Sequence, residues 1–229
     1  HTRYIGDWSS DVCSSDLTIK RMRRRQFLAL PLLGLAGLMV VNRPRTRPTI
    51  STNGEFQYYS VVDHDPEIST SQFQLKVDGL VSEPRIYSWE DLQALPQSRI
   101  VRDFHCVTGW VVRDVPWGGV KLSTIMSEVK PQSKALRLYS SDQVYTESLT
   151  LDQAMADDVF IATSMFDQPI TPRHGGPVRL YTASMLGYKS IKWLNRIELV
   201  NEVIPGYWEE RGYGVDPWIG KSDGWGKPI

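Results

Sequence analysis

Hydrophobic and polar positions change rhythm several times along the chain. Phe73-Gln74-Leu75-Lys76-Val77 alternates with period two and runs into Asp78-Gly79, the pattern of a half-buried strand closed by a turn. Residues 98–107 alternate again, with Ile100, Arg102, Phe104 and Cys106 on one side and Val101, Asp103, His105 and Val107 on the other. Residues 135–139, 144–149, 178–181 and 197–200 predict further strands. Ser88-Trp89-Glu90-Asp91-Leu92 predicts a short helix with Ser88 as N-cap and Asp91 at the capping-box position. Residues 122–129 predict a second helix, and 151–155 one more helical turn. Residues 50–72 carry no period and read as an extended lead-in. Short strands mixed with short helices, no internal repeat and recurrent Pro and Gly predict a single α+β domain with long loops. Loops of that length are uncommon unless they hold something.

The first 49 residues are a different kind of sequence. Residues 1–21, opening HTRYIGDWSSDVCSSDL, show neither strand nor helix period, and read as a non-native scar or a disordered tail. Either reading removes Cys13 from the chemical inventory. Residues 22–49 run MRRRQFLALPLLGLAGLMVVNRPRTRPT, with fifteen apolar or small residues at 27–41. That stretch is short against the roughly 20 residues a spanning helix needs, and Pro31, Gly34 and Gly37 suit an export signal. Arg24-Arg25-Gln26-Phe27-Leu28 resembles the twin-arginine export motif, which implies a periplasmic or otherwise extracytoplasmic protein exported already folded. No A-x-A site follows, so a membrane-anchored product stays open beside a cleaved one.

Charge becomes informative only after this division. The whole chain balances 26 Lys+Arg against 26 Asp+Glu, but residues 50–229 hold 17 and 23, a net of −6. A mildly acidic body lacks the basic face that nucleic acid requires. Two cysteines exclude a disulfide scaffold and a four-ligand zinc site.

Within the body two groups of residues carry candidate chemistry. Cys106 follows His105 at a strand end, before Thr108-Gly109, in the polar and aromatic stretch RDFHCVTGW. Buried cysteines are commonly structural, whereas a thiolate here suits a transition metal whose other ligands come from a cofactor. No C-x-x-C-H occurs, which excludes covalent haem. Arg173-His174-Gly175-Gly176-Pro177-Val178-Arg179, with Lys189 and Lys192 in a later loop, reads either as surface cations on a turn or as an anion site.

Taken in order, HCVTGW, VPWGGV, HGGPVRL and GYKSIKWLNRIEL resemble the sulfite-oxidase family of molybdenum-pterin enzymes over about residues 53–220. The resemblance implies a sulfite-oxidase-type molybdopterin-binding fold, molybdenum-molybdopterin as cofactor and oxygen-atom transfer on a small substrate. It implies Cys106 as the molybdenum ligand, and Arg179, Ser190, Ile191 and Lys192 at the pterin-phosphate site. His174 occupies a pterin-contact position that is Asn in the periplasmic reductase branch and His in the sulfite-oxidising branch. Tyr59, Ser60 and Ser141 align with further cofactor contacts. The nearest branch is the periplasmic methionine-sulfoxide reductases, which implies a monomer served by a membrane b-type haem protein or a soluble cytochrome.

The chain departs from sulfite oxidases where their substrate arginine stands: EFQYYSVVDHDPEIS fills that region, and no Arg occurs at 50–84. A dianion loses a contact there, which disfavours sulfite. Tyr207, Trp208, Tyr213 and Trp218 either line a substrate mouth or pack a terminal loop. Two other function classes stand beside the oxidoreductase: a Cys-His hydrolase using Cys106 with His174 or His105, and a binding module that keeps the fold without the cofactor.

Overall fold

The computed structural model describes residues 50–51 and 56–221. The scar and the export segment read at 1–21 and 22–49 lie outside the described residues. In chain order the elements are β1 (Ile50–Ser51), β2 (Gln74–Gly79), β3 (Arg85–Ser88), α1 (Trp89–Ala94), β4 (Gln97–His105), β5 (Trp110–Lys121) and α2 (Leu122–Val129). They continue with β6 (Ala135–Ser140), β7 (Thr146–Thr150), α3 (Leu151–Ala154), β8 (Val159–Met165), β9 (Gln168–Pro169), β10 (Arg179–Thr182) and β11 (Leu194–Val200). One sheet runs β1-β5-β8-β10, with β4 added on β5 and β9 on β8; the other runs β3-β2-β11-β6-β7.

The helices form where the sequence places them. Ser88 Oγ accepts the Asp91 N–H, and the Asp91 carboxylate accepts the Ser88 N–H, closing the capping box that starts α1. Thr150 and Gln153 close a second box at α3, which the sequence reading passed over. Helix α2 presents Leu122, Ile125, Met126 and Val129 as one buried stripe at helical spacing.

The strands divide by how clearly they alternate. In β2, Leu75 and Val77 are buried between exposed or half-buried neighbours, as the period predicts. Expected strand 98–107 becomes β4, ending at His105, so Cys106 sits just beyond the ladder. A register shift between Arg102 and Phe104 breaks the alternation, leaving Val101 and Arg102 both exposed. The 144–149 segment becomes β7, and β11 begins three residues earlier than the sequence suggests. Two long strands went unread: β8 is buried on both faces and shows no period, and β5 contains Pro116 and Gly118-Gly119. At Gly119 the backbone passes so close to β8 that a Cβ would lie 2.2 Å from the Ile161 carbonyl, so only glycine fits.

The first sheet is covered on both faces. Val120, Ile161 and Leu180 face an aliphatic core shared with Leu75, Val77, Leu136, Leu138, Ile197 and α2. Their neighbours Trp117, Phe160, Ala162 and Tyr181 face the other way, into an aromatic layer with Phe104 and Trp110, against which Phe56 and Cys106 pack. Trp117 stacks on Tyr181 at 4.1 Å and is fully buried. Replacing Trp117 with Ala should cost about 3–5 kcal/mol in denaturant unfolding, whereas Ser88→Ala, which only opens a cap, should cost about 1 kcal/mol.

Candidate active site

Cys106 opens a turn in which the Gly109 N–H donates to the Cys106 carbonyl at 3.0 Å and the Cys106 N–H to the Trp110 carbonyl at 3.0 Å. Gly109 takes a left-handed conformation, φ 100°, which this reversal requires. The thiol is half-buried, and its side-chain hydrogen-bond partner is Thr108 Oγ1 at 3.2 Å, a residue the sequence reading did not single out. Burial pushes the thiol above its usual value, although hydrogen bonds from Thr108 and Val107 oppose this. No histidine hydrogen-bonds the sulfur among the described residues: His174 Nε2 is held by Tyr58 Oη at 2.7 Å, and His105 lies 3.8 Å from an Asp103 oxygen. An activated Cys-His pair therefore does not form here.

Arg179 begins β10 and is 4% exposed. Its guanidinium donates to the carbonyls of His174 at 2.7 Å, Ser190 at 2.7 Å and Leu180 at 3.3 Å, and among the described residues it forms no ion pair with a carboxylate. Its face lies 5.6 Å from the Trp117 ring centre and 5.8 Å from that of Phe104. Burial lowers it to about 10, which leaves it cationic at neutral pH.

The turn at Pro172–His174 and the strand start at Arg179 face the later loop that carries Lys192. Gly175 is left-handed, φ 95°, and a Cβ there would lie 2.6 Å from the Lys192 Cβ. Within the segment read as either surface cations on a turn or an anion site, Gly175 is packed by the Lys192 stem and Gly176 by the Ile170 carbonyl. Lys192 reaches back to the Arg173 carbonyl at 3.2 Å, and the Arg173 guanidinium covers the Tyr58 ring at 3.8 Å. Burial, with Arg179 and Arg173 nearby, lowers Lys192 to about 8; burial and the same cluster of cations lower His174 to about 4, so its imidazole is neutral.

Arg173 and Lys192 border an open cleft of about 730 Å³, lined also by Tyr58, Tyr59, Ser60, Asp63, His64, Asp65 and Glu67; Cys106, His174 and Arg179 are not among its lining residues. An adjoining recess of about 550 Å³ includes Ser141 and Asp142. The structure thus brings Tyr59, Ser60, Lys192 and, next door, Ser141 to one depression. Ser190 and Ile191 are buried behind it: Ser190 Oγ accepts the Thr182 N–H at 3.0 Å, and the Ile191 carbonyl accepts the Leu180 N–H at 2.9 Å. Lys189, grouped by sequence with the cations of this cluster, points elsewhere; its ammonium is fully buried against Glu147 and Glu209. Tyr207, Trp208 and Tyr213 pack on one another and on Tyr145 and Tyr188, and Trp218 packs against the aliphatic core. The packing alternative holds for these contacts, and none of the four lines the cleft.

The donor set fits a cofactor that carries both a phosphate and metal ligands of its own. No group of three or more His, Cys, Asp or Glu capable of holding a metal occurs among the described residues, so a metal at Cys106 must bring its remaining ligands with it. Among the described residues Arg179 is a buried cation lacking a carboxylate, and the indole N–H groups of Trp110 and Trp117 are buried without acceptors in the aromatic layer beside Cys106.

The two-sheet α+β domain thus presents, among the described residues, one half-buried cysteine and one buried arginine without a carboxylate partner. The chain belongs to the oxidoreductase molybdopterin-binding domain family, whose model matches residues 62–208. It is 34% identical over 182 residues to YuiH of Bacillus subtilis, an uncharacterized oxidoreductase, covering 78% of this chain and 87% of that one. It is 25% identical to the MsrP protein-methionine-sulfoxide reductase catalytic subunit of Ralstonia nicotianae, covering 86% and 75%. The sulfane dehydrogenase SoxCD of Paracoccus pantotrophus shares the fold with a TM-score of 0.55 at 22% identity, covering 61% of this chain and 41% of that one. The sulfite-oxidase-type fold and the oxidoreductase class expected from the motifs are thus shown, and with them molybdenum-molybdopterin as cofactor.

An anion in the cleft should restore the charge of Lys192. Inorganic pyrophosphate added to cofactor-free protein is expected to bind with proton uptake near pH 8, read as a calorimetric heat that changes with the buffer's ionisation enthalpy. Lys192→Met should remove that buffer dependence.

Proposed function

We propose that this chain is the catalytic part of an exported oxidoreductase that removes an oxygen atom from a small sulfoxide-type substrate. Cys106 is the protein ligand to molybdenum, and Arg179 with Lys192 holds the cofactor's phosphate end. The carrying observation is Arg179, a buried guanidinium that shares backbone carbonyls and lacks an acid, 5.6 Å from a tryptophan ring in the layer that also packs Cys106. His174, Tyr59, Ser60 and Ser141 border or adjoin the same depression, and Ser190 supplies the carbonyl that orients the arginine.

When bound, the cofactor supplies two-electron chemistry at the metal, so a sulfoxide, two electrons and two protons give a sulfide and water. The residues of the chain bind, orient and tune charge. Neutral His174 offers hydrogen bonding without adding positive charge. The lack of an arginine at 50–84 favours a neutral sulfoxide over sulfite. The likeness to MsrP supports the same choice.

The electrons come from a separate redox partner, a membrane b-type haem protein or a soluble cytochrome. The Arg24-Arg25 segment supports export after the cofactor is loaded, to the periplasm or an equivalent compartment. Among the described residues no helix is long and apolar enough to cross a membrane.

Protein made in a molybdenum-competent host should carry stoichiometric molybdenum and a fluorescent oxidised pterin, and Cys106→Ser should keep the fold and lose the metal. With a reduced viologen dye as electron donor, methionine sulfoxide should be turned over, and with ferricyanide as electron acceptor, sulfite should not be oxidised. Metal-free, pterin-free protein that folds normally would sink the proposal in favour of a binding module, and ester or amide hydrolysis abolished by alkylating Cys106 would favour the hydrolase.

A further inference from the structure

The loop that carries Ser190 and Lys192 rests on a buried charge cluster that the reaction itself does not use. The Lys189 ammonium, with no exposure, donates to Glu147 Oε1 at 2.6 Å, to the Ser148 carbonyl at 2.8 Å and to Glu209 Oε1. Glu209 Oε2 accepts the Gly206 N–H at 2.6 Å, and Glu147 Oε1 also accepts the Ser148 N–H at 2.8 Å. Glu147 Oε2 is buried without a hydrogen-bond partner among the described residues. Three segments meet at this point: β7, the 3-10 turn Gly187–Lys189 and the 3-10 turn Glu209–Arg211. Two tyrosines brace the same junction, Tyr145 donating to the Tyr188 carbonyl at 2.7 Å and Tyr188 donating to the Gly214 carbonyl.

We infer that the Glu147–Lys189–Glu209 triad is the positioning device of the anion pocket: it pins the stretch from Gly187 to Lys192 between β7 and the C-terminal segment, and the grip of Arg179 and Lys192 on a phosphate-bearing cofactor follows its charge state. The inference rests on the cofactor reading above. The mechanical link is short, because the Ser190 carbonyl orients Arg179, the Ile191 carbonyl holds the Leu180 N–H of β10, and Lys192 follows directly.

Two carboxylates facing one ammonium in a dry site leave one negative charge uncompensated unless a proton is retained. The groups facing Glu147 are Lys189, Glu209, Tyr145 and Tyr188, of which only the lysine favours its ionisation. Burial, reinforced by Glu209, pushes Glu147 up to about 8 against the pull of Lys189. An acid raised on folding contributes stability that is complete below its ordinary value and is lost as pH rises through the folded value. The clamp is therefore tightest in acid, loosens as pH climbs out of the ordinary carboxylate range, and is weakest from about pH 8 upward.

The test uses the holoenzyme, as wild type and Glu147→Gln, held from about pH 6 to about pH 9. Retained molybdenum and pterin fluorescence report the pocket, and limited tryptic cleavage at the exposed Arg211 reports the clamp. Wild type should lose cofactor and gain cleavage at Arg211 progressively as pH rises toward about 8 and level off beyond it, while Glu147→Gln stays flat in both. Glu209→Gln, which leaves one carboxylate per ammonium, should give the same flat profiles. Matching pH profiles in wild type and both variants would overturn the inference. Wild type without molybdenum or pterin at any pH would instead overturn the cofactor reading, and the Arg211 cleavage profiles would still decide the clamp.

Discussion

A guanidinium held out of water by carbonyls alone is the constraint around which the rest of the site is arranged. Removing Arg179 from solvent is costly, and neutral carbonyls recover only part of its hydration. The two short bonds come from His174 and Ser190, on loops that are remote in sequence from each other, so both loops must arrive at fixed positions for the charge to be tolerated. The field of that cation then spreads: it helps hold His174 neutral and draws Lys192 down toward the physiological range. Among the described residues no carboxylate supplies its countercharge, and a phosphate held there, as proposed, would supply one.

Much of the scaffold was legible because half-buried elements announce themselves. Leu75 and Val77 alternate with polar neighbours, Ser88 and Asp91 spell a capping box, and α2 shows an unbroken helical stripe. What stayed hidden is buried on both faces or irregular. Strand β8 offers no contrast between its sides, and β5 bends around Pro116 and Gly118-Gly119 with Asp114 in a left-handed conformation, so no simple period survives.

The site was legible as motifs and less so as geometry. Cys106 and Arg179 stand out by residue type and neighbours, and the fold places one at a turn beyond β4 and the other, buried, at the start of β10. Lys189 and Lys192 look equivalent along the chain, yet one ends a 3-10 turn and enters the interior while the other lies beyond a non-helical Ser190 and borders the cleft. Three residues of spacing cannot foretell that divergence, because it is decided by Glu147 and Glu209, which lie far off in sequence. Nor does Thr108 advertise its contact with the Cys106 sulfur, since a threonine beside a glycine reads first as a turn residue.

The sheet with two differently furnished faces has an evolutionary consequence. Alternate residues of β5, β8 and β10 serve an aliphatic interior on one side and an aromatic layer around the cysteine on the other. A substitution in the ring stack beside Cys106 leaves the aliphatic face intact but still costs stability, as the fully buried Trp117 illustrates, so altering the surroundings of the sulfur and keeping the domain folded are coupled demands on any lineage.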